Sequence, residues 1–210
     1  RALTGVEDPC TVVTEPFAEW VLAGDFPAGR PSWEAAGARV VADATPYEER
    51  KLWLLNASHS VLAAAGRLRG FETIAEAFAD PDLRAATEQL WQEQRAVIDL
   101  PSAEVDGFIA ALRIRFDNPR IAHRLDQIRR DSVTKIPVRL LDPIRRRVQA
   151  SLGIGDAQQE AVRIWIRSIL ELEPTEPAAA DLARTLGALD PADRIDAILT
   201  HLTPSEGPRA

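Results

Sequence analysis

Residues 51–60 read KLWLLNASHS. On a helical wheel of about 100° per residue with Lys51 at zero, His59 falls near 80° and Asn56 near 140°. Leu52, Leu55 and Leu62 share that sector, while Trp53, Leu54 and Val61 cover the other faces. A helix apolar nearly all round is a buried element, and three hydrogen-bonding side chains facing one way inside it are expensive unless partnered. In the bland reading, Lys51 snorkels to solvent and Asn56 and His59 bond to backbone. In the sharper one they form a site. A desolvated lysine is a general base, an amide beside it stabilises an oxygen that becomes negative, and an imidazole one turn on holds a hydroxyl. Lys, Asn and His without metal ligands suggest proton abstraction from an alcohol, or the reverse on a carbonyl.

Outward from this stretch, the chain is helical. Thr45-Pro46-Tyr47-Glu48 is a capping box with proline at the first helical position, and predicts a helix to about Arg67. Further helices are expected at Thr73–Phe78, from an Asp80-Pro81 cap to about Ile98, at Ala103–Phe116, Ile121–Arg130, Pro143–Ser151, Ala157–Leu172, Pro177–Leu186 and Pro191–His201, with Asp131-Ser132 breaking the chain between two of them. Residues 1–45 differ: β-branched runs such as Thr11–Thr14 and Val40-Val41 alternate with Gly, Pro and Asp turns. The expectation is a mainly α, multi-helical domain over 46–210. A short mixed α/β strip over 1–45 precedes it, the tail of a sheet whose other strands lie elsewhere.

Bulk properties narrow the function classes. The 25 basic and 32 acidic residues leave a net charge of −7, which argues against nucleic acid or an anionic membrane as partner. No run of apolar residues is long enough to span a bilayer, and no secretory signal is visible, so a cytoplasmic protein is expected. Cys10 is the only cysteine, and His59, His123 and His201 lack HxxxH or HExxH spacing, so no metal site is expected. The chain contains no methionine and opens on Arg1; a piece of a longer polypeptide is the expectation.

Lys51-x4-Asn56-x2-His59 on a helix resembles the signature of the mannitol dehydrogenase family of long-chain polyol and sugar-acid dehydrogenases. The flanks agree: TEPFAEWVLAGDFPAGRPSWEAAGARVVADATPYEERK before it, GFETIAEAFADPDL after it, and RFDNPRIAHRLDQIRRDSVTKIP at 115–137. The resemblance covers roughly residues 10–140. It implies an N-terminal dinucleotide-binding domain, absent from this chain, a helical C-terminal domain, and metal-independent chemistry with NAD or NADP. It makes Lys51 the general base, Asn56 the ligand of the carbonyl or alkoxide oxygen, and His59 a substrate-binding group that orients the lysine. Lys135 matches a substrate-binding lysine. Gln127 stands where the family's mannitol enzymes place an arginine, and Arg130 near a substrate-binding histidine; His123, Arg124 and Gln127 look more like the uronate reductases. The implied substrate is a small sugar alcohol or sugar acid.

No GxGxxG follows a strand and opens a helix, and Gly153-Ile154-Gly155 lacks the third glycine and a βαβ unit. The chain alone is therefore expected to bind no cofactor, and the face left by the absent domain to favour self-association. Residues 111–150 hold eleven Arg and Lys against four acids, a local charge of +7. They form either a solvated face or a cleft lining that attracts a carboxylate or phosphates. An inert helical scaffold module derived from such a domain is the alternative; a nucleic-acid regulator is disfavoured by the acidic balance.

Overall fold

The computed structural model describes Gly5, Cys10 and residues 17–201. It divides between Ala44 and Thr45 into two units. In the first, strands β1 (Val21–Ala23) and β2 (Arg39–Val41) pair in parallel, Leu22 opposite Val40. The crossover contains a 3-10 turn at Trp33–Ala36, ended by Gly37 at φ 91°. Trp33 packs against Trp20 and Phe26, with ring centroids 5.4 and 5.7 Å apart. Val40-Val41 thus lies in a strand as expected; the run Thr11–Thr14 lies outside the described residues.

The second unit is helical. Helix α1 (Thr45–Arg50) runs through a π turn at Lys51–Asn56 into α2 (Ala57–Leu68). Then follow α3 (Ile74–Ala79), α4 (Pro81–Arg95) and α5 (Ser102–Phe116). Thr73 and Glu76 form a reciprocal capping box on α3, and Asp80 accepts from the Asp82 and Leu83 amides at the head of α4. After α6 (Leu125–Arg129), α7 (Ser132–Ile136) runs through a second π turn at Pro137–Leu141 into α8 (Asp142–Gln149). The chain closes with α9 (Asp156–Glu171), α10 (Pro177–Gly187) and α11 (Arg194–His201).

Helix α2 is the central element. One side packs Leu62, Ala63 and Ala65 into a cluster with Phe78, Trp91 and Phe116; the other packs Ala57 and Val61 against Leu140, Trp165 and Ile169. Gly66 lets it approach its neighbours, since a Cβ there would lie 2.6 Å from Leu125 Cδ1 and 3.0 Å from Ala77 Cβ. No helix among the described residues is long and apolar enough to cross a membrane.

One expectation is corrected and one stretch is filled in. The helix over Ile121–Arg130 begins only at Leu125, because the preceding residues pair with the 72–74 segment: Ile74 N–H donates to His123 O (3.1 Å) and Leu125 N–H to Glu72 O (2.9 Å). Asp131-Ser132 interrupts the chain as expected, with Asp131 left-handed at φ 54°, and residues 132–142, to which the sequence reading assigned no element, run as helix into α8. Pro137 opens the wide turn in this stretch.

Candidate active site

The two π turns shape the site. In the first, Ala57 N–H donates to Leu52 O; in the second, Asp142 N–H donates to Pro137 O. Both close over five residues instead of four, and the turns pack on one another. Wide turns of this kind concentrate at functional sites. Their widened ladder needs other partners, and Leu54 O finds them in Ser58 Oγ (2.5 Å) and Trp91 Nε1 (3.0 Å). The second π turn has Pro137 at its head, which lacks the N–H an α ladder would use.

The π geometry changes the wheel drawn from sequence. A π turn winds fewer degrees per residue than an α-helix, so Lys51 and Asn56 stand closer to one face than the roughly 140° by which an α-helix would splay them. Ser60 follows Asn56 at α spacing, and its Oγ donates to Asn56 O at 3.1 Å. The expectation of burial fails at the first residue: Lys51 is exposed, while Asn56 and His59 are half-buried. The helix is therefore not closed all round; it opens to solvent on its lysine side.

Asn56, His59, His123, Arg124, Gln127 and Lys135 line one open cleft of about 280 Å³. Residues far apart in sequence converge there because the 123–125 segment is pinned to residues 72–74 beside α2. Ile128 and Arg139 complete the lining. Lys51 and Arg130 are not among the lining residues; both are exposed. Arg130 contributes its carbonyl, which accepts from Lys135 Nζ at 2.6 Å. Lys135 also lies 3.8 Å from the Asp131 carboxylate, and Arg124 3.4 Å from Glu72.

His59 stacks on Phe116 (centroids 4.9 Å apart, 29° between planes) and meets His123 edge-on at 5.5 Å. Its Nε2 is buried and finds no hydrogen-bond partner among the described residues. Burial, then His123, Arg115 and Arg139, push its pKa down to about 3, so the ring is neutral at physiological pH. A neutral imidazole with an unused nitrogen beside an amide is suited to grip a hydroxyl.

Arg139 is the residue the sequence reading missed. Its Nη1 donates to Ser60 Oγ at 2.9 Å and more weakly to Asn56 O at 3.5 Å, and burial lowers its pKa. The signal was present: it stands four residues after Lys135, on the same side of a helix. With no helix assigned between the break at Asp131-Ser132 and Pro143, that spacing went unread. Elsewhere the basic segment largely answers its neighbours. Arg113 forks onto Glu88, Arg145 pairs with Asp142, and Arg146 reaches Glu49. Among the described residues no group of His, Cys, Asp and Glu is placed to hold a metal.

Residues 43–167 match the family model of the mannitol dehydrogenase C-terminal domain. The D-mannonate oxidoreductase of Escherichia coli K12 is 37% identical over 206 residues, which are 93% of this chain and 42% of that protein. A mannitol 2-dehydrogenase of Aspergillus terreus is 40% identical over 63% of this chain and 28% of its own length. Among solved structures, Pseudomonas fluorescens mannitol 2-dehydrogenase, a ternary complex with NAD and D-mannitol, superposes with a TM-score of 0.70 at 28% identity. That match covers 89% of this chain and 39% of the other. The chain thus spans less than half the length of these relatives. With over half its residues inside the family's helical domain, this chain belongs to the mannitol dehydrogenase family and carries its C-terminal domain.

Proposed function

We propose that the chain is the substrate-binding and catalytic part of an NAD(P)-dependent, metal-independent dehydrogenase that oxidises a secondary alcohol of a polyol or sugar acid. The observation that carries this reading is the convergence of Asn56, His59, His123, Arg124, Gln127 and Lys135 on one cleft beside a π turn that Lys51 opens. The similarity to a mannonate oxidoreductase and to mannitol dehydrogenases supports it.

A nicotinamide dinucleotide supplies the hydride acceptor in such chemistry. Among the described residues, the Gly153–Gly155 turn does not fit its pyrophosphate. Gly153 and Gly155 precede α9, but the Ala157 and Gln158 amides that a phosphate would use already donate to the Glu93 carboxylate, at 3.0 and 2.8 Å. In this reading the cofactor is held elsewhere than at the head of α9, and the side chains of the cleft act on the alcohol.

Asn56 donates its amide N–H to the reacting oxygen and stabilises the charge that develops there. Lys51, at the other end of the same π turn as Asn56, takes the hydroxyl proton on Nζ as the C–O bond becomes a carbonyl. In the reverse direction it returns the proton. His59 stays neutral and contacts a neighbouring hydroxyl from the cleft wall. Lys135 and Gln127 hold the remaining hydroxyls from the opposite wall. Lys51 is open to solvent in this chain, so its desolvation comes with bound substrate and the covering surface of the complete enzyme. Lys51→Ala in that enzyme is expected to lower kcat/KM by about 10²–10⁴-fold. An unchanged rate would remove Lys51 from the chemistry.

A further inference from the structure

The cleft is lopsided in charge. Arg124, Lys135 and Arg139 line it, and no Asp or Glu among the described residues does. Two of the three cations have acidic neighbours, Arg124 with Glu72 and Lys135 with Asp131. Arg139 has none within ion-pair distance among the described residues.

Its hydrogen bonds show which edge of the guanidinium is in use. Nη1 is committed to Ser60 Oγ and the Asn56 carbonyl, both neutral acceptors. Nε and Nη2 have no protein acceptor among the described residues. Those two donors form the fork that grips a carboxylate with two parallel hydrogen bonds. The same molecule contains such a fork: Arg113 uses Nε and Nη2 on the two Glu88 oxygens, each at 2.6 Å. Arg139 has the same edge free, on a half-buried side chain held in place by its own helix-to-helix bonds. A half-buried cation with neutral partners only is costly, and an anion in the cleft offsets that cost.

We propose that Arg139 is the specificity-determining residue of this site, its free Nε–Nη2 edge receiving the terminal carboxylate of a sugar-acid substrate. The proposal rests on the dehydrogenase reading above and narrows its substrate to the acid class. Asn56 and His59 then meet the reacting carbinol while Arg139, bonded to the same turn, fixes the charged end. A hexitol offers only a neutral hydroxyl there and leaves the fork unpaired.

The test uses the complete enzyme that carries this chain, with NAD or NADP, on a hexonate and on the hexitol of matching configuration. Wild type is expected to favour the hexonate in kcat/KM. In Arg139→Gln the hexonate-to-hexitol ratio is expected to fall about 10–150-fold, and in Arg139→Lys by less, because a point charge replaces the fork. A ratio that Arg139→Gln leaves unmoved overturns the assignment, since a scaffolding role slows both substrates alike. A wild type that favours the hexitol overturns it as well. A wild type that oxidises neither removes the dehydrogenase reading and this one with it. Salt supplies a readout free of folding effects: in wild type, KM for the hexonate is expected to rise with ionic strength while KM for the hexitol holds. Equal responses of the two would also refute the proposal.

Discussion

Replacing Gly155 with alanine is expected to act through Glu93, and the size of the effect follows from the geometry. Gly155 precedes α9 at φ −75° and ψ 151°, a backbone any residue adopts. A Cβ there would nonetheless sit inside the Glu93 carboxylate. That carboxylate comes from α4 and caps α9 through the Ala157 and Gln158 amides. Losing a cap costs about 0.5–2 kcal/mol and losing an anion at a helix N-terminus about 0.3–1. Glu93→Ala should therefore cost about 2 kcal/mol. Gly155→Ala pushes the flexible Glu93 aside and loses the same cap, but stiffens the unfolded chain by about 0.4–1 kcal/mol, for a net loss near 1.3. In the double variant no carboxylate remains to be displaced, so its loss should also be about 1.3 kcal/mol against an additive sum of about 3.3. Denaturant unfolding followed by helical circular dichroism measures all four corners. Additive losses would refute the reasoning, because Gly155 would then matter for something other than room for Glu93.

Further expectations follow from the site. The folded pKa of His59, about 3, lies below its ordinary 6.5. The unfolded chain therefore binds the proton first, and this contribution to stability is complete above about pH 6.5 and lost as pH falls toward 3, by up to about 1.4 kcal/mol per unit. Unfolding of wild type and His59→Asn at pH 4 and 7 should show a smaller acid loss in the variant; equal losses would contradict the burial of this ring. Trp91→Phe removes the indole donor from Leu54 O and Ser58 Oγ, and should lower stability by about 1–3 kcal/mol; an unshifted melting temperature would mean the wide turn does not need that partner. Asp131→Gly should stabilise by about 0.5–1 kcal/mol, because Asp131 is a non-glycine residue at φ 54°; a lower melting temperature would show that the Asp131 side chain contributes more than its backbone costs.

The helical architecture was legible because its signals are local. Thr73 with Glu76, and Asp80 with Pro81, announce their caps in neighbouring residues. Six of the eight residues picked for the site line the cleft together. The failures have separate physical causes. A wheel of fixed pitch has no place for a π turn, so neither the wide turn at Lys51–Asn56 nor the one at Pro137–Leu141 was visible to it. Arg139 was lost with the second. The exposure of Lys51 was misread because apolar neighbours on a wheel report composition, not which flank other helices cover. The extended 121–124 segment depends on partners at 72–74, some fifty positions away in the chain.

The wide turn at Lys51–Asn56 also determines which changes in chain length this helix can absorb. Excising one residue between Leu52 and Leu55 would let the segment relax to ordinary four-residue spacing, with Lys51 one turn before Asn56 and both flanks in phase. Excising one between Asn56 and His59 has no such slack to consume. It would turn everything downstream by about 100°, swinging the imidazole out of the cleft and the apolar stripe of α2 off both halves of the core.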